Sequence, residues 1–107
     1  MSERPIVWLG TSLAVVRALP DRARQAVGYA LDRVQNGWEP SNWRPIPSVG
    51  PGVREIRVQI GQDYRVLYVT QFTDAIYVLH AFEKKSQKTS HHDITIARAR
   101  LASLTHS

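Results

Sequence analysis

The chain has 107 residues, 43% hydrophobic and 21% charged, which suits one hydrophobic core and leaves no room for a second, so a single domain over residues 1–107 is expected. It has no cysteine, which excludes disulfides, thiolate catalysis and cysteine-ligated zinc. No apolar run approaches a bilayer span and no charged-then-apolar leader opens the chain, so a cytoplasmic protein without membrane contact is expected; the net charge of +5 favours nucleic acid, an anionic surface or an acidic protein as partner.

Ile6 to Leu9 read as a first short strand, after which Thr11 and Ser12 can cap a short helix carrying Leu13, Val16 and Leu19. Pro20-Asp21 opens a second helix, with Asp21 near its positive end. Ala23, Val27, Leu31 and Val34 then recur at helical spacing along one stripe, and Asn36-Gly37 stops the helix. Gly28 interrupts this stripe and predicts close approach by a neighbouring group. The result is a helical hairpin with one apolar face.

From Trp38 to Gly52 the chain carries four prolines and two glycines and no usable period, so this is an irregular connection. Trp38 and Trp43 within it can pin the loop to the core or, beside Arg44, stack on bases. Gly50-Pro51-Gly52 lacks the glycine-lysine-serine/threonine ending of a phosphate loop.

Three strands follow as a meander. Val53 to Ile60 alternates, with Ile56, Val58 and Ile60 on a buried parity and Glu55, Arg57 and Gln59 on a polar one; Arg54 falls on the apolar parity at the strand's start, where it can reach past the edge. Gly61-Gln62-Asp63 is a turn into Tyr64 to Thr70, and Gln71 to Asp74 is a loop into Ala75 to Phe82. The last of these is apolar on both parities, as expected of a strand covered on both faces. Thr89 and Ser90 can cap a final helix with Asp93 in the box position, and Ile94, Ala97, Leu101 and Leu104 form its stripe. The expected fold is α+β: an N-terminal strand and helical hairpin packed on an antiparallel β-meander, with a C-terminal helix.

All three lysines, Lys84, Lys85 and Lys88, sit in the tail of the last strand. A covered strand ending in clustered ammonium groups can present positive charge at a fixed place, although charge runs are also how a strand emerges into water. Arg57, Arg65 and the Lys84-Lys85 pair lie on three strands expected to be adjacent, so a shared cationic face is geometrically reasonable; parity does not prove it, because Arg65 shares its direction with Leu67 and Val69. His80 stands mid-strand between apolar neighbours, where it is either a titrating group or a hydrogen-bonded core histidine. His91 and His92 diverge on a helix and make no metal pair, so no metal or other cofactor is expected.

Gly28-Tyr29-Ala30-Leu31, Gly52-Val53-Arg54-Glu55, Tyr64-Arg65-Val66-Leu67-Tyr68 and, above all, Tyr77 to Phe82 running into Lys84-Lys85-Ser86 and Lys88-Thr89 resemble the phage-derived Gp49-like proteins, also called HigB-like toxins, of the RelE/ParE superfamily. The resemblance covers nearly the whole chain and implies a RelE-like fold. It also implies a type II toxin–antitoxin toxin that cuts mRNA on the ribosome without a metal and is neutralised by a helix-turn-helix antitoxin. Under that reading Arg65, Lys84, Lys85 and His80 carry phosphate binding and catalysis, while Arg54, Arg57 and Lys88 contact RNA. The chain departs from several branches in having no tyrosine after Tyr77 as an acid or base, leaving His91, His92, His106 or the lysines for proton transfer. The superfamily also implies two alternatives, a ParE-like gyrase poison that does not cut and a phage-derived nucleic-acid-binding protein.

Overall fold

The computed structural model of the chain describes residues 3–105; His106 lies outside them. In chain order the elements are β1 (Ile6–Trp8), α1 (Ser12–Arg17), α2 (Asp21–Gln35), β2 (Trp43–Pro45), β3 (Arg54–Ile60), β4 (Gln62–Val69), β5 (Ile76–Glu83) and α3 (His91–Thr105). The architecture is the expected α+β one, compatible with a RelE-like fold. The strands form one five-stranded sheet in the order β1-β5-β4-β3-β2. The meander β3-β4-β5 is antiparallel, while β1 pairs with β5 in parallel, so the sheet is mixed.

Each face of the sheet has its own core. On one face α1 and α2 bury Val16, Ala23, Val27, Leu31 and Val34 against Ile56, Val58, Tyr64, Val66, Tyr68, Ile76 and Val78. The stripe read from α2 is therefore the buried one. On the other face Ala97, Ile94 and Leu101 of α3 pack on Leu67, Val69, Leu79 and Phe82. Coverage on both sides explains why β5 is apolar on both parities. Ser90 caps α3, its Oγ accepting the Asp93 amide at 3.1 Å. Asp93 does not complete a reciprocal box: its carboxylate accepts from the Ser90 hydroxyl at 2.6 Å and lies 2.7 Å from His80. Thr11 makes no side-chain cap on α1.

β2 lies within the proline-rich connection that the sequence reads as irregular. Only three residues long, it sits at the sheet edge, where Pro45 interrupts no second ladder. β4 begins at Gln62 rather than Tyr64, because Gly61, at φ 74°, reverses the chain so tightly that Ile60 pairs with Gln62 and Gln59 with Asp63. The two tryptophans behave differently from one another. Trp43, half-buried in β2, lies under the Arg54 guanidinium, 4.4 Å from its ring centre, whereas Trp38 is 63% exposed and lies under the Arg33 guanidinium at 5.2 Å. Trp38 does not pin the loop to the core.

Gly28 corrects another expectation. It is exposed on α2, and a Cβ placed there meets nothing within 4 Å, so no close approach requires it. Gly28→Ala should therefore raise stability by about 0.5–1 kcal/mol through helix propensity alone, read as a higher urea midpoint with an unchanged slope.

Candidate functional site

The site is positioned by an irregularity in the sheet. Along β4 and β5, Leu67 pairs with His80 but Tyr68 pairs with Val78, so Leu79 is an extra residue in a β-bulge. Ile76 and Val78 join the α2 side; beyond the bulge, His80 and Phe82 align with Leu67 and Arg65 on the α3 side. The phase shift carries the next residue of that parity, Lys84, to the same face as Arg65. Lys84 continues the ladder, its amide donating to the Asp63 carbonyl at 2.7 Å.

α3 covers only part of this face. Over the rest, Arg44, Glu55, Arg57, Arg65 and Asp63 form a polar layer. Registers of Arg44 with Glu55, Arg57 with Arg65 and Gln59 with Asp63 set them side by side. Glu55 is completely buried, and its Oε1 accepts Arg44 Nε and Arg65 Nη1, both at 2.8 Å. Arg65, only 2% exposed, also donates Nε and Nη2 to the two carboxylate oxygens of Asp63 at 2.8 and 2.9 Å. This fork-on-fork pair is the strongest geometry available to a guanidinium and a carboxylate. The bond from Arg65 holds the Asp63 pKa below its ordinary value of 3.8, and that bond with the nearby Glu55 charge raises the Arg65 pKa above its usual range.

Two arginines and two carboxylates make this network formally neutral. The positive charge offered to a ligand comes from other groups: among the described residues no carboxylate pairs with Arg57, Lys84, Lys85 or Lys88. A cleft of about 470 Å³ opens in front of Asp63, with Gln59, Gln62, Lys84 and Lys85 in its walls. A smaller one of about 200 Å³ lies beyond the lysines, reaching Lys88, Ser90 and Asp93. A third, of about 400 Å³, lies between Arg44 and Lys88. The Lys84 pKa is lowered from 10.5, first by loss of water and then by the Arg65 and Arg44 charges. An apolar groove between α2 and β3, lined by Ala26, Tyr29, Pro40 and Ile60, has Arg57 as its one charged lining residue.

Lys84 and Lys85 line the cleft with Asp63, and Lys88 lines the next one; Arg65 stands behind that wall, bonded to Asp63, Arg57 pairs in register with Arg65, and Arg54 is left out. Arg54 pairs in register with Tyr68, on the α2 side, and its guanidinium is engaged on Trp43. His80 is buried, stacked on Phe82 at 5.1 Å, with Nε2 on Asp93 and Nδ1 3.4 Å from Arg100 Nη1. Burial lowers its pKa below 6.5 against the opposing pull of Asp93. His91 and His92 are exposed at the start of α3. Sequence patterning does not single out Arg44, Glu55 and Asp63 as site residues. Glu55 lies on the polar parity of β3, which reads as a solvent face; only its registers with Arg44 and Leu67 show that it is enclosed. Among the described residues no group of three or more His, Cys, Asp or Glu could hold a metal ion, and no helix is long and apolar enough to cross a membrane.

The family model of the phage-derived protein Gp49-like (DUF891) matches residues 14–102, a span containing every residue of this site. The chain belongs to the Gp49-like family. Membership gives it a general kind, that of toxin-related phage-derived proteins, and leaves the chemistry to be argued from the cleft. No curated protein matches the chain.

Two measurements test how this Gp49-like site is built. Glu55→Ala leaves the enclosed Arg65 Nη1 without its acceptor, while Asp63 still pairs with Arg65, and should cost about 1–3 kcal/mol in urea unfolding. His80 gives a pH signature: its folded pKa is depressed, so the unfolded chain binds more protons, and its contribution is full above 6.5 and lost as pH falls below that value. The thermal midpoint should drop between pH 7 and pH 5, and drop less in His80→Gln, which keeps a donor for Asp93.

Proposed function

We propose that this chain is the toxin of a type II toxin–antitoxin system and acts as a metal-independent endoribonuclease on mRNA at the ribosome, held in check by a helix-turn-helix antitoxin. The observation that carries this reading is the cleft itself: Lys84 and Lys85 line it and Arg57 stands in register with Arg65 beside it, none of them with a carboxylate partner among the described residues, around a Glu55–Arg65–Asp63 base. RNA can be cut through its own 2′-hydroxyl if one group accepts that proton, others neutralise charge on the phosphate, and one protonates the leaving 5′-oxygen. Arg57 suits the charge-neutralising task, because a guanidinium stays charged and its fork matches phosphate oxygens. Lys84 suits proton transfer, because loss of water and its cationic neighbours move its pKa downward from 10.5. Lys85 and Lys88, both exposed, extend the positive track along which RNA backbone can lie.

While Asp63 is bound to it, Arg65 is a positioning residue, since its guanidinium is enclosed and three of its donor bonds go to Glu55 and Asp63. His80 likewise supports the strand end from within. Inducing the wild-type chain should arrest growth and produce new 5′ ends on cellular transcripts by primer extension, whereas Lys84→Ala/Lys85→Ala should abolish both. Arrest that survives the double substitution without new 5′ ends would favour inhibition by binding, as in a gyrase poison.

A further inference from the structure

Arg65 lies behind the wall of the cleft, and the wall residue bonded to it is Asp63. The Asp63 carboxylate presents two oxygens to Arg65 Nε and Nη2, the same two-point geometry by which a phosphate binds a guanidinium. It is the only carboxylate on that edge of Arg65 among the described residues, and it forms part of the wall of the cleft that Lys84 and Lys85 line. Asp63 retains 32% side-chain exposure while Arg65 has 2%, so a ligand entering the cleft meets Asp63 first. The Asp63 backbone is fixed by its ladder with Gln59 and by the Lys84 amide, which leaves only its side chain to swing.

We infer that Asp63 occupies the seat of a phosphate on Arg65, as a built-in competitor that a phosphodiester must displace before Arg65 can bind it. The guanidinium is kept in place during the exchange by Glu55, which holds Nη1 from behind at 2.8 Å. Arg65 thus has two bound acids with different tasks, one buried and permanent, one at the cleft wall and exchangeable. Asp63 stays ionised down to below its ordinary pKa, so the displacement is driven by the ligand and not by protonation near neutral pH. The consequence is selectivity. A weak anion does not open the pair, whereas a polyanion that also engages Arg57, Lys84 and Lys85 does.

The inference rests on the nucleic-acid reading of the cleft, and the test separates the two. Binding of a short single-stranded RNA oligonucleotide is measured by fluorescence anisotropy for wild type, Asp63→Asn, Glu83→Gln and Asp63→Asn/Arg65→Lys. Glu83 is an exposed residue of the same cleft wall with no bond to Arg65, so Glu83→Gln reports what loss of one negative charge does alone. Asp63→Asn should bind about tenfold more tightly than wild type, the size of one additional charge-assisted hydrogen bond, and clearly more tightly than Glu83→Gln. The gain should vanish when Arg65 loses its fork. A gain no larger than that of Glu83→Gln, or one that persists in Asp63→Asn/Arg65→Lys, overturns the inference. In parallel, the Arg65 Nε–H resonance is followed by NMR during titration with inorganic phosphate. A shift in Asp63→Asn but not in wild type upholds the competitor even if no variant binds RNA, in which case the nucleic-acid reading fails alone; no shift in either, with no RNA gain, removes the competitor.

Discussion

The structure depends on one buried carboxylate. Glu55, the second residue of β3, has no solvent contact and accepts a guanidinium from the strand on each side, Arg44 of β2 and Arg65 of β4. Burying a charge costs several kcal/mol, and two charged donors at 2.8 Å offset that cost only because their geometry is good. Its Oε2 has no partner among the described residues, so the balance is close. In exchange, three strands are fixed in register by a contact that an apolar side chain could not make directional.

The same interaction divides the labour of this face. Where α3 lies, the sheet is covered by Leu67, Leu79, Val69 and Phe82. Where α3 stops, the ion network takes over the role of a core and presents a formally neutral floor. Arg57, Lys84, Lys85 and Lys88 stand above or beside that floor, their charges uncompensated by ion pairs among the described residues. These cations are thus backed by a base that Glu55 anchors from behind. The His80–Asp93–Ser90 chain ties the start of α3 to the strand that delivers the lysines, so the covered and open halves of the face are mechanically continuous.

Element type and order are legible because each rests on a local signal. The α2 stripe, the β3 alternation, the double-sided apolarity of β5 and the Ser90 cap each depend on residues a few positions apart, and periodicity reports such relations well. β2 is illegible because three residues containing a proline carry no period, and it becomes a strand only when β3 offers an edge. Glu55 reads as a surface residue for a related reason: alternation assigns it to a side of the sheet but says nothing about what covers that side.

The sequence by itself determined that this chain would form an α+β domain with a basic strand end near two arginine-bearing strands. Which of those cations share a face was decided only by tertiary structure. Side-chain direction in a strand has period two, so counting from Ile76 and Val78 puts Lys84 on the α2 side, away from Arg65. The extra residue at Leu79 reverses that phase, and a bulge is a property of two paired strands that neither strand's sequence shows alone.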